Sequence, residues 1–360
     1  MRIAVTGARG LIGWHAAARI HAQNCAARFR REEPPHELVQ VDRALFEDAD
    51  RLKTALAGVD AVLHFAGVNR AHPDEVRNGN RRIAAALVAA LGAERPHIVY
   101  ANSTHSRGDS DYGIGKREAA ELLAGAADRF TDLVLPHIFG ECARPDYNNV
   151  TATIIDRIWK GEEPVLNPEG RVQLLHAGEA AQIAIDAAIN RTTGTIAPPG
   201  RDIGVIELYE KLRQFHALYA ANIFPDLTDP FDLALFNAYR TAGYPDRYPK
   251  MLKLNSDARG TLFETAKGGN GAQTFMSSTV PGMKRGDHFH YGKVERFLVV
   301  KGKAVIRIRR VLTDEVNEFI VTGDAPAAID MPPLHTHNIE NIGDEEVLTI
   351  FWTHDMFDPK

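Results

Sequence analysis

Short apolar runs alternate with segments of helical spacing through about residue 190. Residues 2–5 read as a strand that ends in glycines, and a helix pattern follows to about residue 23. Residues 38–41, 61–66, 97–100 and 133–135 read as four more strands, and residues 52–56, 83–91 and 116–126 as helices. Strands alternating with helices of this length imply β-α-β units and a parallel sheet covered on both faces. The texture changes after about residue 240. Pro245, Tyr248 and Pro249 mark a turn-rich stretch. Short β-rich runs follow at 273–277, 296–300, 304–309, 318–321 and 347–352, punctuated by Gly and Pro. That pattern predicts an antiparallel sandwich or barrel. The expected domains are residues 1–245 and 246–360, with residues 206–242 as helical connecting structure.

Composition narrows the function classes. Of 360 residues, 44% are hydrophobic and 25% charged, the balance of a folded globular chain. The formal net charge of −5 argues against nucleic acid as a partner, since such binders present a basic face. The longest apolar run, residues 83–92, is far shorter than the roughly 18 residues of a membrane helix. No membrane insertion is therefore expected. Gly7 and Gly10 interrupt the N-terminal apolar stretch before a signal-peptide core can form. Cys25 and Cys142 are too few for a disulfide framework, so a reducing cytoplasm is expected.

The segment Val5-Thr6-Gly7-Ala8-Arg9-Gly10-Leu11-Ile12-Gly13 leaves a strand and enters a helix. Its glycines permit a tight turn, backbone approach to a pyrophosphate and close packing of helix on strand. The helix N-terminus then offers free N–H groups and a partial positive charge to phosphate. The expected architecture is therefore a Rossmann-type doubly wound α/β sheet followed by an all-β sandwich or barrel. Asp42 ends the second strand, where an acid binds a ribose 2′-hydroxyl and favours NAD. Arg9 and Arg43 stand beside it and would suit a 2′-phosphate. Two cations against one carboxylate favour NADP(H) as the cofactor.

Tyr112 and Lys116 lie four apart at a helix start, so both project on one side. An ammonium near a phenol lowers the phenol pKa from about 10, which suits a general acid for a carbonyl. Ser103, just after the fourth strand, would hydrogen-bond the same carbonyl oxygen. With the glycine loop and Leu63-His64-Phe65-Ala66-Gly67, these residues resemble an extended short-chain dehydrogenase/reductase over the first 190 positions. The resemblance implies that Tyr112 handles the proton, that Lys116 also holds the nicotinamide ribose, and that Ser103 positions the carbonyl. It brings Ala66 and Gly67 to the cofactor and gives Asn80 a supporting place there. The Ser-to-Tyr gap is short for extended members, and His137 stands where Asn is common.

In the second region the spacing Gly282, His288-Phe289-His290, Glu295, Gly302 is followed by Gly323, Pro332, His337 and Asn341. On a strand His288 and His290 point the same way. Glu295 can return on the next strand, and His337 adds a third imidazole. This mixed N/O set suits one divalent metal, Zn, Fe, Mn or Ni, with zinc first among them. Both runs resemble the signature motifs of the cupin barrel. Leu334 replaces the second motif's glycine, so a different turn is expected there. The run from Asp257 to Glu264 resembles the entry strand of nucleotide-sugar 3,5-epimerases.

Together the halves resemble the bifunctional CapF type of capsular polysaccharide synthesis. The matches include Ala66-Gly67-Val68-Asn69-Arg70, Tyr147-Asn148-Asn149-Val150, Arg296-Phe297-Leu298-Val299-Val300, Thr336-His337-Asn338-Ile339-Glu340-Asn341 and Met356-Phe357-Asp358-Pro359. The resemblance implies a UDP-linked 4-keto-6-deoxy-N-acetylhexosamine substrate. The cupin would epimerise C3, and NADPH-dependent reduction of C4 would then give UDP-N-acetyl-6-deoxy-L-talosamine, on the route to N-acetyl-L-fucosamine. It also implies a homodimer. His335, Tyr291 and Glu264 are candidate acid/base groups for the C3 step. The alternatives are another nucleotide-sugar 4-reductase or epimerase with a non-catalytic cupin, and a dinucleotide sensor fused to a sugar-binding barrel. A sensor has no use for Ser103, Tyr112 and Lys116 together.

Overall fold

The computed structural model describes residues 1–252, 255–257, 260–262, 265–268 and 273–355. Packing divides the chain into two compact units. The first comprises Met1–Val150 with Arg171–Gly204, and the second Thr151–Gly170 with Val205–Lys360. Position 245, where the sequence texture changes, lies inside the second unit.

The strands of the first unit are β1 (Arg2–Thr6), β2 (Glu37–Val41), β3 (Ala61–His64), β4 (His97–Ser103), β5 (Arg129–Leu135), β6 (His137–Phe139), β7 (Arg171–His176), β8 (Gly194–Ile196) and β9 (Arg201–Gly204). Six of them form a sheet in the order β2-β1-β3-β4-β5-β8, with every neighbour parallel. The alternation of strand and helix dictates this arrangement, because a parallel pair needs a crossover. The central strands carry apolar side chains toward both faces, and a core lies on each side. On one face the helices Leu11–Phe29 and Ala177–Ile189 pack Ala16, Ile20, Ala181 and Ile185 against Ile3, Val5, Leu63 and Val99. On the other, helices Ala49–Leu56, Pro73–Leu91 and Asp111–Ala126 pack Leu52, Leu87 and Leu123 against Ala4, Val62 and Ile98. The order turns around β1, and the loops after β1, β3 and β4 open at the same carboxyl end, where ligands of such sheets bind. The smaller sheet β6-β7-β9 carries His137 at the start of β6.

The second unit places helices Val205–Ala220 and Pro230–Ala242 with an antiparallel β structure. Its strands are β10 (Ile223–Phe224), β11 (Lys250–Met251), β12 (Asn255–Asp257), β13 (Gly260–Leu262), β14 (Lys267–Gly268), β15 (Gln273–Thr279) and β16 (Lys284–His288). They continue with β17 (Glu295–Lys301), β18 (Lys303–Arg310), β19 (Val316–Thr322), β20 (Ala327–Met331), β21 (His335–Asn341) and β22 (Val347–Thr353). The principal sheets run β11-β20-β17-β22-β15 and β16-β21-β18-β19. Their inner faces share one core of Phe297, Val299, Ile306, Ile308, Ile329 and Ile339. Strict alternation sets it: along β21 the buried positions are His335, His337, Ile339 and Asn341. Arg240, fully buried in its helix, donates to the Met331 carbonyl at 2.6 Å and the Lys293 carbonyl at 2.9 Å. Arg296 and Asp330 form a buried bidentate pair at 2.5 and 2.8 Å, and the Tyr219 hydroxyl donates to the same carboxylate. Ala258, Arg259, Phe263 and Glu264 of the entry motif, and the terminal residues 356–360, lie outside the described residues.

Candidate active site and candidate metal centre

The glycine loop is built as its spacing requires. Gly7 has φ +65°, and a Cβ there would stand 2.9 Å from the Ala66 nitrogen. A Cβ on Gly13 would meet the Gly7 oxygen at 2.1 Å. The helix from Leu11 begins at Gly10 without a side-chain cap, so its first N–H groups face the loop. Opposite, the Ala66 N–H donates to Thr6 Oγ1 at 3.2 Å, and the same hydroxyl bonds His64 Nδ1 at 2.7 Å. The Asn80 amide accepts the Val68 N–H at 3.1 Å and donates to the Val68 carbonyl at 2.7 Å, fixing the backbone beside Gly67. Asp42 is engaged twice. Its Oδ1 caps the helix Arg43–Phe46 through the Leu45 N–H, and its Oδ2 faces Arg9 at 3.3 Å. Arg9 and Arg43 both present exposed guanidinium groups.

Ser103, Tyr112 and Lys116 converge at the end of β4. Ser110 caps the helix Asp111–Ala126 through the Gly113 N–H at 3.1 Å and so sets Tyr112 in its first turn. Burial pushes the Tyr112 phenol up, and the Ser103 hydroxyl opposes that rise. Lys116, one turn on, is buried, donates to the Ala101 carbonyl and lies 4.2 Å over the Tyr100 ring. Burial lowers its pKa to about 7, and the Asp132 carboxylate opposes that fall. The expected acidification of the phenol is thus reversed in direction. Desolvation of Tyr112 dominates, and Lys116 is turned to a carbonyl and a ring.

Asp132 and Asn102 were not singled out by sequence reasoning. The Asn102 amide donates to Asp132 at 2.8 Å, and its oxygen accepts the Ser103 N–H at 2.8 Å. Burial raises the Asp132 pKa against that hydrogen bond and the Lys116 charge. Parallel register sets Asp132 opposite Tyr100, information that no local motif carries.

In the second unit His288, His290, Glu295 and His337 bring one ligand atom each to within 4.8 Å of one another. Strand β16 ends at His288, so His290 reaches the cluster from the following turn and not along a strand. A bulge with Asp287 at φ +60° lets His288 pair directly with His337 across β21. His290 and His337 direct Nε2 at Glu295 Oε2 from 3.4 and 3.2 Å. All three of these atoms are buried without a hydrogen-bond partner. His337 Nδ1 faces the His335 carbonyl at 3.1 Å, which requires the proton on Nδ1 and leaves the Nε2 lone pair for the centre. Burial, then the neighbouring imidazoles, lower His288 to about 4. Burial acts to raise Glu295, but the His290 and His337 imidazoles facing it hold it well below the usual range. Two orphaned imidazole nitrogens and a carboxylate oxygen aimed at one point fit a divalent cation.

Leu334 adopts φ +57°, the conformation a glycine takes freely, and is buried with its N–H on the His290 carbonyl at 2.8 Å. Side-chain burial holds the strained backbone. His335 bonds the Pro333 carbonyl through Nδ1 at 2.8 Å and meets the Tyr244 ring, while Tyr291 is exposed beside Phe289.

Residues 255–360 match the model of the polysaccharide biosynthesis C-terminal domain. Over 374 aligned residues the chain is 29% identical to a UDP-2-acetamido-2,6-beta-L-arabino-hexul-4-ose reductase of Pseudomonas aeruginosa, covering 99% of this chain and 96% of that one. The crystal structure of the capsular polysaccharide assembling protein CapF from Staphylococcus aureus matches with 29% identity and a TM-score of 0.59. That match covers all of this chain and 97% of CapF, so the resemblance to the CapF type holds end to end. A UDP-glucuronic acid 4-epimerase from Bacillus cereus, in complex with NAD, shares the fold at 15% identity and a TM-score of 0.50, over 60% of this chain and 85% of its own. Residues 3–196, more than half of the chain, match the model of the NAD dependent epimerase/dehydratase family, and the chain belongs to that family.

Proposed function

We propose that the chain is a bifunctional nucleotide-sugar enzyme of polysaccharide synthesis. It epimerises C3 of a UDP-2-acetamido-2,6-dideoxy-4-hexulose and then reduces the C4 ketone with NADPH to UDP-N-acetyl-6-deoxy-L-talosamine. The observation that carries the reading is the trio at the end of β4, where Ser103 acts on Tyr112 and buried Lys116 stands one turn away, at the same carboxyl end of the sheet as the glycine loop. The similarity to the Pseudomonas reductase and to CapF supports the substrate class.

In the reductase site, Gly7, Gly10, Leu11, Ile12 and Gly13 would hold the dinucleotide phosphates through backbone N–H groups. Arg9 and Arg43 would meet a 2′-phosphate beside Asp42, and Ala66, Gly67 and Asn80 would line the cofactor. The bound nicotinamide supplies the hydride for C4. Ser103 orients the ketone oxygen, Tyr112 gives it a proton from its hydroxyl, and Lys116 offers positive charge as the phenolate forms. In the second unit His288, His290, Glu295 and His337 would hold one divalent cation, zinc first among them, whose charge stabilises an oxyanion next to an acidified C3 proton. Tyr291, His335 and Glu264 are the candidates for moving that proton. We further infer a homodimer in the cytoplasm, checked by light scattering and cell fractionation.

The test is incubation with the UDP-4-keto sugar and NADPH in deuterated water. The expected product carries deuterium at C3 and has consumed one NADPH per sugar. Reduction without deuterium at C3 would leave a plain 4-reductase, and no NADPH consumption would remove the reductase assignment. Tyr112→Phe is expected to cut reduction by about 10²–10⁴-fold while C3 exchange continues. Equal loss of both activities would contradict separate sites.

A further inference from the structure

The first unit contains a second convergence of ligand-type side chains, which the reductase chemistry does not use. His15 projects from the helix Leu11–Phe29, Glu141 follows Gly140 after β6, and His176 ends β7. His15 and Glu141 are each 1% exposed. Both imidazoles aim at one carboxylate oxygen: His176 Nε2 lies 2.9 Å and His15 Nε2 3.5 Å from Glu141 Oε2. The three ligand atoms lie within 4.8 Å of one another. His15 Nε2 is buried without a hydrogen-bond partner. An imidazole nitrogen pointed at a carboxylate and left unbonded in the interior is costly unless something binds it. Gly140 leaves the room: a Cβ there would stand 3.4 Å from both Nε2 atoms. His176 keeps a side-chain exposure of 15%, which opens the cluster to solvent.

We propose that His15, Glu141 and His176 bind one divalent transition-metal ion, separate from the histidine cluster of the second unit. Two imidazoles and a carboxylate form the mixed N/O set that zinc and cobalt(II) accept, with a further position for water. The ion ties the dinucleotide helix to the end of β6 and to β7. It is therefore a clamp on the cofactor-binding frame rather than a participant in hydride transfer.

Cobalt(II) titration of the metal-stripped full chain, followed by visible absorption and elemental analysis, tests this. About two equivalents are expected in the unsubstituted protein. About one should remain in His290→Gln/His337→Gln, and one fewer should bind in Glu141→Gln than in the unsubstituted protein. Far-ultraviolet circular dichroism checks that each variant is folded. Stoichiometry unchanged by Glu141→Gln overturns the proposal, because the trio is then a hydrogen-bonded core cluster. If Glu141→Gln fails to fold, His176→Gln gives the same comparison from the least buried member. Uptake of only one equivalent by the unsubstituted protein, abolished in His290→Gln/His337→Gln, overturns it without any change in the trio.

Discussion

Burial at the end of the parallel sheet acts on individual titratable groups in opposite directions. At Lys116 it favours the neutral amine and brings the pKa to about 7; at Tyr112 it favours the neutral phenol. Asp132, held by Asn102, is the group that works to keep Lys116 charged. His64, stacked on Tyr100, belongs to the same cluster and is lowered to about 3 by burial and then by Lys116. The unfolded chain protonates His64 near pH 6.5, whereas the folded protein resists until about 3. The stability gained from a neutral His64 is therefore complete above pH 6.5 and is lost as pH falls toward 3. Denaturant unfolding of His64→Asn and of the unsubstituted protein should differ in slope by about 1.4 kcal/mol per pH unit between pH 6 and 4, the variant being flatter. Parallel curves would show that His64 is not the group responsible.

At the scale of elements, the glycine loop couples a ligand cradle to helix packing. Gly13→Ala puts a methyl group 2.1 Å from the Gly7 oxygen and must push the helix Leu11–Phe29 off β1. Dinucleotide affinity, read by fluorescence titration, is expected to fall at least about tenfold, with a loss of roughly 1–3 kcal/mol in stability. The loop was legible in the sequence because glycine spacing encodes backbone geometry directly. So were the strands with continuous apolar runs and the spacing of His288, His290, Glu295 and His337. The helix Ala177–Ile189 was not legible. Its alanines are buried nearly all round, leaving no polar stripe to set a period. Strands β20 and β21 were missed because Asp330 interrupts the first, polar residues fill the second, and pairing with β17 and β18 defines them. Asp132 escaped for a related reason, since its partners Asn102 and Lys116 lie on other elements. At Leu334 the sequence showed only that a leucine replaces the motif's glycine; it did not show a left-handed backbone with a buried side chain.

Over the whole molecule, buried charge joins helices to sheets within the second unit. The Arg296–Asp330 pair is removed from water on both sides, and Asp330 also accepts from Tyr219. Asp330→Asn leaves Arg296 buried with a weakened partner. It should cost about 3–5 kcal/mol, measured by urea unfolding. A loss under 1 kcal/mol would mean that water reaches the guanidinium.

Arg240 has a consequence for anyone dividing the gene. A fragment starting at codon 246 would lack the side chain that occupies the Met331 and Lys293 carbonyls, and Tyr219 would be gone from Asp330 as well. The excised barrel would expose raw acceptors where a helix had lain, and is expected to precipitate. A fragment starting at codon 205 keeps Arg240 and Tyr219 but still loses Thr151–Gly170, whose Trp159 stacks on Tyr239.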